Sequence, residues 1–282
     1  MSYSLNQLYQ VVGISKQAVS QYQKRQAVFD SKLLQLITEA DELRAEHPGC
    51  GVEKMYYTLA PDFIGRDRFI ETMMQLGYRL QRKKNYKRTT IASKLYYPNL
   101  IKGMQVKAPN TIWQSDITYI PIGDRHYYAV FIMDVYTKEI VGYSITDHMR
   151  ASANVSALQR AFKKHKVPKI HHSDRGSQYT YKGYTNLLKE NDVQISMATT
   201  AQDNAYAERI NRTIKEEYLE YWKPKSFSQL KYYITKSVKN YNTKRKHNHL
   251  GRMTPEKFRT NFSLLTSQQR KTITIFNNEL VT

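Results

Sequence analysis

At 282 residues, with 40% hydrophobic side chains spread along its whole length, the chain is long enough for a buried core and for two domains or one with appendages; this excludes a disordered basic tail. Forty-four lysines and arginines against 24 acids give a net charge of +20, which points to a polyanion such as nucleic acid as partner. The longest apolar run, YYAVFIM at 127–133, is too short to cross a bilayer, no charged-then-apolar segment opens the chain, and the single cysteine, Cys50, permits neither an internal disulfide nor a cysteine-built zinc site, so the expectation is a soluble, intracellular protein with no membrane partner.

The charge is unevenly placed. Residues 1–110 carry 17 basic and 9 acidic side chains, residues 221–282 carry 13 and 2, but residues 111–220 carry 14 and 13. A protein that only coats DNA gains nothing by concentrating acids in its middle third, because each carboxylate there repels phosphate. The middle of the chain therefore has a use for negative charge, unless these acids are ordinary solvated surface.

In chain order, residues 5–25 place Leu8, Val11, Val12, Ile14, Ala18 and Val19 at helical spacing about a turn at Gly13. This predicts a helix-turn-helix whose second half, with Lys16 and Gln17, suits contacts to bases and phosphates, or else plain helical packing. A separate amphipathic helix is predicted over 31–46, ending at His47-Pro48-Gly49. A second helix-turn-helix pattern runs over 52–80, with its break at 61–65. Residues 79–94 hold seven basic side chains and no acid, among them Arg82, Lys83, Lys84, Lys87 and Arg88, and read as an extended linker along a phosphate backbone, with Tyr78, Tyr86, Tyr96 and Tyr97 available to stack on bases.

From residue 111 the pattern changes. TIWQSDITYIPI, HYYAVFIMDVY and EIVGYSIT read as three strands joined by short turns; then come a helix over 151–166, a strand at KIHHS, a helix near 181–190, a strand at VQISMA and a last helix in AYAERINRTIKEEYL. That order predicts an α/β fold, a mixed five-stranded sheet with helices on both faces.

Three acids stand out. Asp116 interrupts an apolar strand, where burial disfavours it. Asp174 follows a strand end, where ligands bind in open α/β sheets, and Gly176 beside it would let substrate approach the backbone. Glu208 opens the last helix, and Asn211, Arg212 and Lys215 follow it on one helical face as phosphate-seeking side chains, with Ala207, Ile210 and Ile214 directed to the core. Three carboxylates brought together repel unless cations lie between them, and oxygen-only ligation selects two hard divalent ions, Mg²⁺ or Mn²⁺, the arrangement for in-line displacement at phosphorus. Competing readings give Asp134 to a turn, Asp203 to a helix cap, His171 and His172 to structural hydrogen bonds and Trp113 to the core.

WQSDITYI, HSDRGSQY and DNAYAERINRTIKEE, in that order, resemble the three catalytic blocks of insertion-sequence transposases of the insertion-sequence-three family, second reading-frame products related to retroviral integrases. The resemblance extends over residues 49–262, with GVEKMYYTL and RFIETMMQLGYRL similar to a helical module ahead of the core and YNTKRKHNHLGRMTPEKF to the segment closing it. It implies a ribonuclease-H-like core, a catalytic and metal-binding triad of Asp116, Asp174 and Glu208 with two Mg²⁺ ions, and cleavage and joining of DNA. Residues 175–207 put 33 positions between the second and third acids, two fewer than the family's usual spacing.

The expected organisation is a helix-turn-helix DNA-binding segment (1–46), a second such module (47–78), a basic linker (79–110), a catalytic core (111–222) and a basic helical segment (223–282) in which Lys244, Arg245 and Lys246 join the DNA contacts. The expected partners are double-stranded DNA, both element terminal inverted repeats and target, further copies of the chain on that DNA, and an upstream reading-frame product. The expected place is the bacterial cytoplasm, at the nucleoid. A nuclease of the same fold that cuts without joining, and a silent DNA-binding regulator derived from a transposase, are the rival readings.

Overall fold

The chain divides into two units, Met1–Glu46 with Cys50–Leu80 and His47–Gly49 with Gln81–Thr282, of which the computed structural model describes residues 4–80 and 96–275.

In the first unit, α1 (Leu5–Val12) starts where Ser4 Oγ accepts the Gln7 amide and Gln7 Oε1 accepts the Ser4 amide, and it stops at Gly13, whose φ of +70° a side chain would disfavour. The next helix, α2 (Lys16–Glu46), runs unbroken for 31 residues, so the expected boundary before residue 31 does not exist. The sequence from Lys16 to Glu46 has no glycine or proline, and nothing in it ends a helix once begun. Lys16 and Gln17 are exposed at its first turn. After it come α3 (Val52–Leu59) and α4 (Arg66–Gln75), on either side of the break read from Pro61. Leu36 and Ala40 of α2, Val52 and Met55 of α3, and Phe69 and Met73 of α4 form one core, to which α1 contributes no buried side chain.

The second unit is built on the predicted mixed five-stranded sheet. A short β1 (Gln105–Val106) pairs antiparallel with the last strand, β7 (Ile273–Thr274). The main sheet has β2 (Ile112–Ile122) at its centre, β3 (Arg125–Asp134) and β4 (Ile140–Thr146) as an antiparallel meander on one side, and β5 (Ile170–Ser173) and β6 (Gln194–Met197) parallel to it on the other, in the order β4-β3-β2-β5-β6. Between these strands lie α5 (Ser152–Lys164), α6 (Ser177–Thr180) and α7 (Lys182–Lys189). After β6 the chain continues through a 3-10 turn (Ala201–Asn204) into α8 (Ala205–Ile214), a π-helical stretch (Lys215–Leu219) and α9 (Glu220–Trp222), then α10 (Phe227–Thr243) and α11 (Pro255–Phe262).

Each face of the sheet has its own core, which is why these strands lack a polar side along most of their length. Ile120, Phe131 and Met133 pack under Ile210, Ile214, Leu230 and Ile234 of α8 and α10. On the other face Trp113, Val130 and Ile132 meet Leu158, Ala161, Tyr184 and Leu188 of α5 and α7. Gly142 of β4 sits so close beneath α5 that a Cβ there would lie 2.7 Å from the Ala157 carbonyl oxygen and 2.9 Å from Ala161 Cβ. Gly142→Val is therefore expected to push α5 off the sheet and lower stability by about 1–3 kcal/mol, measured by urea unfolding.

Candidate active site

The register between β2 and β5 sets the site. Ser115 pairs with Ser173 as the last parallel partners, so Asp116 and Asp174 are the next residues on two strands that run side by side, about 4.8 Å apart in a sheet. Asp116 Oδ2 accepts a hydrogen bond from Asn211 Nδ2 at 2.8 Å, and its Oδ1 accepts the Ile117 amide at 2.9 Å. Asp174 Oδ1 accepts the Gly176 amide at 3.0 Å, and a Cβ on Gly176 would come within 3.0 Å of that same oxygen. The glycine keeps the carboxylate uncrowded, a nearer reason for its presence than access of a substrate to the backbone.

Glu208 comes from the first turn of α8, and buried amides tie the start of that helix to β2. Gln114 Nε2 donates to the Asp203 carbonyl at 3.2 Å while Gln114 Oε1 accepts the Ala207 amide at 3.4 Å, and Asn204 Nδ2 donates to the Ser115 carbonyl at 3.1 Å. Gln114 and Asn204 are almost wholly buried, so these bonds form in a low-dielectric setting where an unpaired amide is costly. Sequence reasoning passed over both. The available signal was a glutamine two places before Asp116 in a strand otherwise reading as core.

The electrostatics tie the three acids together. Burial, then the charges of Asp174 and Glu208, push Asp116 up to about 8. Burial raises Asp174, and burial with the Asp174 charge raises Glu208 against the opposing pull of Arg212. Lys215 is lowered by burial and held up by the Asp116 charge. Among the described residues no three histidine, cysteine, aspartate or glutamate side chains stand close enough to form a ready-made cation cage. Mutually repelling carboxylates do not close on one another without a cation between them, and two of the three have donors of their own, Asn211 for Asp116 and the Gly176 amide for Asp174.

The other acids and histidines have local work. Asp134 binds the Asn110 amide and both the amide and hydroxyl of Thr137, closing the turn after β3. Asp203 accepts the Thr199 and Thr200 amides, each at 2.8 Å, capping the 3-10 turn before α8 and lying apart from the coupled acids. His171 bonds Tyr184, His172 bonds Ser196, and Trp113 is fully buried.

Residues 106–202 match the family model described as integrase core domain, and residues 191–255 match a second model of that description. An uncharacterised 31 kDa protein of insertion element IS600 from Shigella sonnei is 31% identical over 225 residues, 75% of this chain and 82% of that protein. The transposase for insertion sequence element IS904 from Lactococcus lactis subsp. lactis is 34% identical over 181 residues, 62% of this chain and 71% of its own length. The chain belongs to the insertion-sequence transposases. The simian T-cell lymphotropic virus intasome shares the fold at a TM-score of 0.50, with 16% identity and 60% of each chain covered.

Within this transposase the residues expected to touch DNA are differently placed. Arg212 is exposed on α8 one turn beyond Glu208, and Lys215 lies half-buried beyond it. Asn211, expected to meet phosphate, is instead buried and spends its amide on Asp116. Arg245, expected in the same role, has its guanidinium on the Glu217 carboxylate through two bonds of 2.7 and 2.6 Å, because a planar fork matches a carboxylate inside the unit as well as it matches a phosphate. Lys244 follows the end of α10 exposed, and Lys246 is half-buried. Arg82, Lys83, Lys84, Lys87 and Arg88 lie outside the described residues, as does Tyr86, while Tyr96 stacks beneath the Arg175 guanidinium at 4.6 Å.

Because Asp116 titrates near 8 in the folded chain against 3.8 for a solvated aspartate, the folded state holds a proton that the unfolded state releases across that window. Its contribution to stability is complete below about pH 4 and is lost as pH rises to about 8. In chelator, Asp116→Asn should flatten this part of the pH dependence of thermal unfolding and raise the melting temperature at pH 8, by calorimetry; a parallel pair of curves would show that Asp116 is not so coupled.

Proposed function

We propose that the transposase cuts and joins DNA strands at Asp116, Asp174 and Glu208, an Asp-Asp-Glu polynucleotidyl transferase of the insertion-sequence-three family. What carries this reading is the placement of three acids on β2, at the end of β5 and on α8 within electrostatic reach of one another, where burial first and then the charges of Asp174 and Glu208 push Asp116 up to about 8. An all-oxygen donor set of this kind fits hard divalent cations, Mg²⁺ or Mn²⁺, and not zinc. Two such ions held by Asp116, Asp174 and Glu208 would supply activation of an attacking oxygen and stabilisation of the leaving one in a displacement at phosphorus.

The chain's own residues do the rest. Asn211 fixes the rotamer of Asp116 through Oδ2, and the Gly176 amide does the same for Asp174. Gln114 and Asn204 hold the first turn of α8 against β2, which fixes the backbone that carries Glu208. Arg212, exposed one turn beyond Glu208, would take a phosphate of the bound strand, with Lys215 on the following turn. Water attacks first, releasing a 3′ hydroxyl at the element end, and that hydroxyl then attacks a target phosphodiester in the same place. The basic surface of the chain, +20 overall, supplies affinity for both duplexes and predicts a steep salt dependence.

Several copies acting on paired element ends, an upstream reading-frame product as companion, and work at the bacterial nucleoid belong to the same proposal. Among the described residues no helix is long and apolar enough to cross a membrane.

Asp174→Asn is expected to lower Mg²⁺-dependent strand cleavage of element-end DNA at least ~10³-fold while duplex binding stays within about twofold, by gel assay and fluorescence anisotropy. Retained cleavage would remove Asp174 from the site. A pre-cleaved end separates transfer from simple nuclease action: joined products are expected, and their absence with cleavage intact would favour the nuclease.

A further inference from the structure

Beyond Asp116, the far end of β2 and the π-helical stretch enclose a cavity of about 530 Å³. Ile122, Leu219 and Pro224 form apolar wall, and among its charged residues Lys215, Lys223 and Lys225 outnumber the single acid, Glu220. Tyr119 lines it as well and, like Lys215, lies within electrostatic reach of Asp116, which puts this wall near the carboxylates.

The backbone that shapes it is unusual. From Lys215 to Leu219 the helix is wound as π, a form that occurs mainly as single turns at functional sites. Its wider turn brings Lys215, Leu219 and Glu220 to one side, all three on the cavity, where an α-helical winding would turn Glu220 away.

The lining selects its occupant. Excess positive charge calls for an anion, yet the wall is apolar and offers a free phosphate no cage of donors. An apolar, flat group joined to phosphates fits both parts, and an unpaired base offers such a face, whereas the faces of a paired base are covered by its stacked neighbours. We propose that this cavity receives one unpaired base of the DNA strand end bound at the carboxylates, with Lys223 and Lys225 on the phosphates flanking it. The inference rests on the reading of Asp116, Asp174 and Glu208 as a strand-processing site, and it adds that the protein opens the duplex next to the cut and captures a base there.

The test uses the full chain and a duplex with a short single-stranded tail carrying 2-aminopurine at its first unpaired position, beside the same tail with an abasic site, which keeps the phosphates and removes the base. The base-bearing tail is expected to bind about tenfold tighter than the abasic one, with a change in 2-aminopurine emission on binding. Ile122→Trp, which fills the cavity, is expected to abolish both effects while leaving blunt-duplex binding within about twofold. Lys225→Glu, an exposed position that tolerates the change if the tryptophan variant does not fold, is expected to weaken tailed-duplex binding more than blunt-duplex binding. Equal affinity for the two tails, or a base preference untouched by both variants, overturns the proposal. Mg²⁺-dependent nicking followed in the same samples keeps the two claims apart: nicking without base preference removes the cavity's role and spares the carboxylates, and base preference without nicking does the reverse.

Discussion

The parallel pairing of β2 with β5 is the constraint on which the rest depends. Ending at Ser115 and Ser173, it delivers two aspartates to neighbouring positions at the sheet's centre, where hydrophobic cores press on both faces and water is scarce. Burial in these surroundings, and after it the charges of Asp174 and Glu208, push Asp116 up to about 8. Folding has to hold this repulsion in place, and the buried amides of Gln114, Asn204 and Asn211 are how it does so. The same bonds that stabilise the start of α8 keep a third carboxylate within reach.

This organisation divides labour between rigid and adaptable parts. The aspartates sit on the sheet and its edge loop, fixed by backbone donors. Glu208 is on a helix whose start is tied to β2 by buried amides, and the Arg212 charge one turn on favours its ionised form. A site built this way is poised without being preassembled: added positive charge between the acids is what would draw Glu208 in. The π-helical turn at the other end of α8 extends the same surface past the carboxylates, so that one helix serves both the proposed chemistry and the proposed base cavity.

Much of this was legible in the sequence. The strand order, the two-sided packing and the odd placement of Asp116 followed from apolar patterning, because an acid in a run such as WQSDITYI has no bland explanation. The direction of Ala207, Ile210 and Ile214 into the core followed from helical spacing. What periodicity could not give was partnership. Nothing local tells an arginine that will meet a phosphate from one that will meet Glu217, 28 residues earlier, and nothing marks Asn211 as a donor to an aspartate 95 residues away. The unbroken α2 escaped notice for the opposite reason: a polar stretch with weak apolar period suggested a boundary, although no residue in it could make one.

The most direct test is the anomalous scattering of manganese in crystals of the full chain grown with duplex DNA. Manganese bound by carboxylate oxygens of Asp116, Asp174 and Glu208 is the result this account requires. Manganese located elsewhere, with these carboxylates not among its ligands, would contradict it.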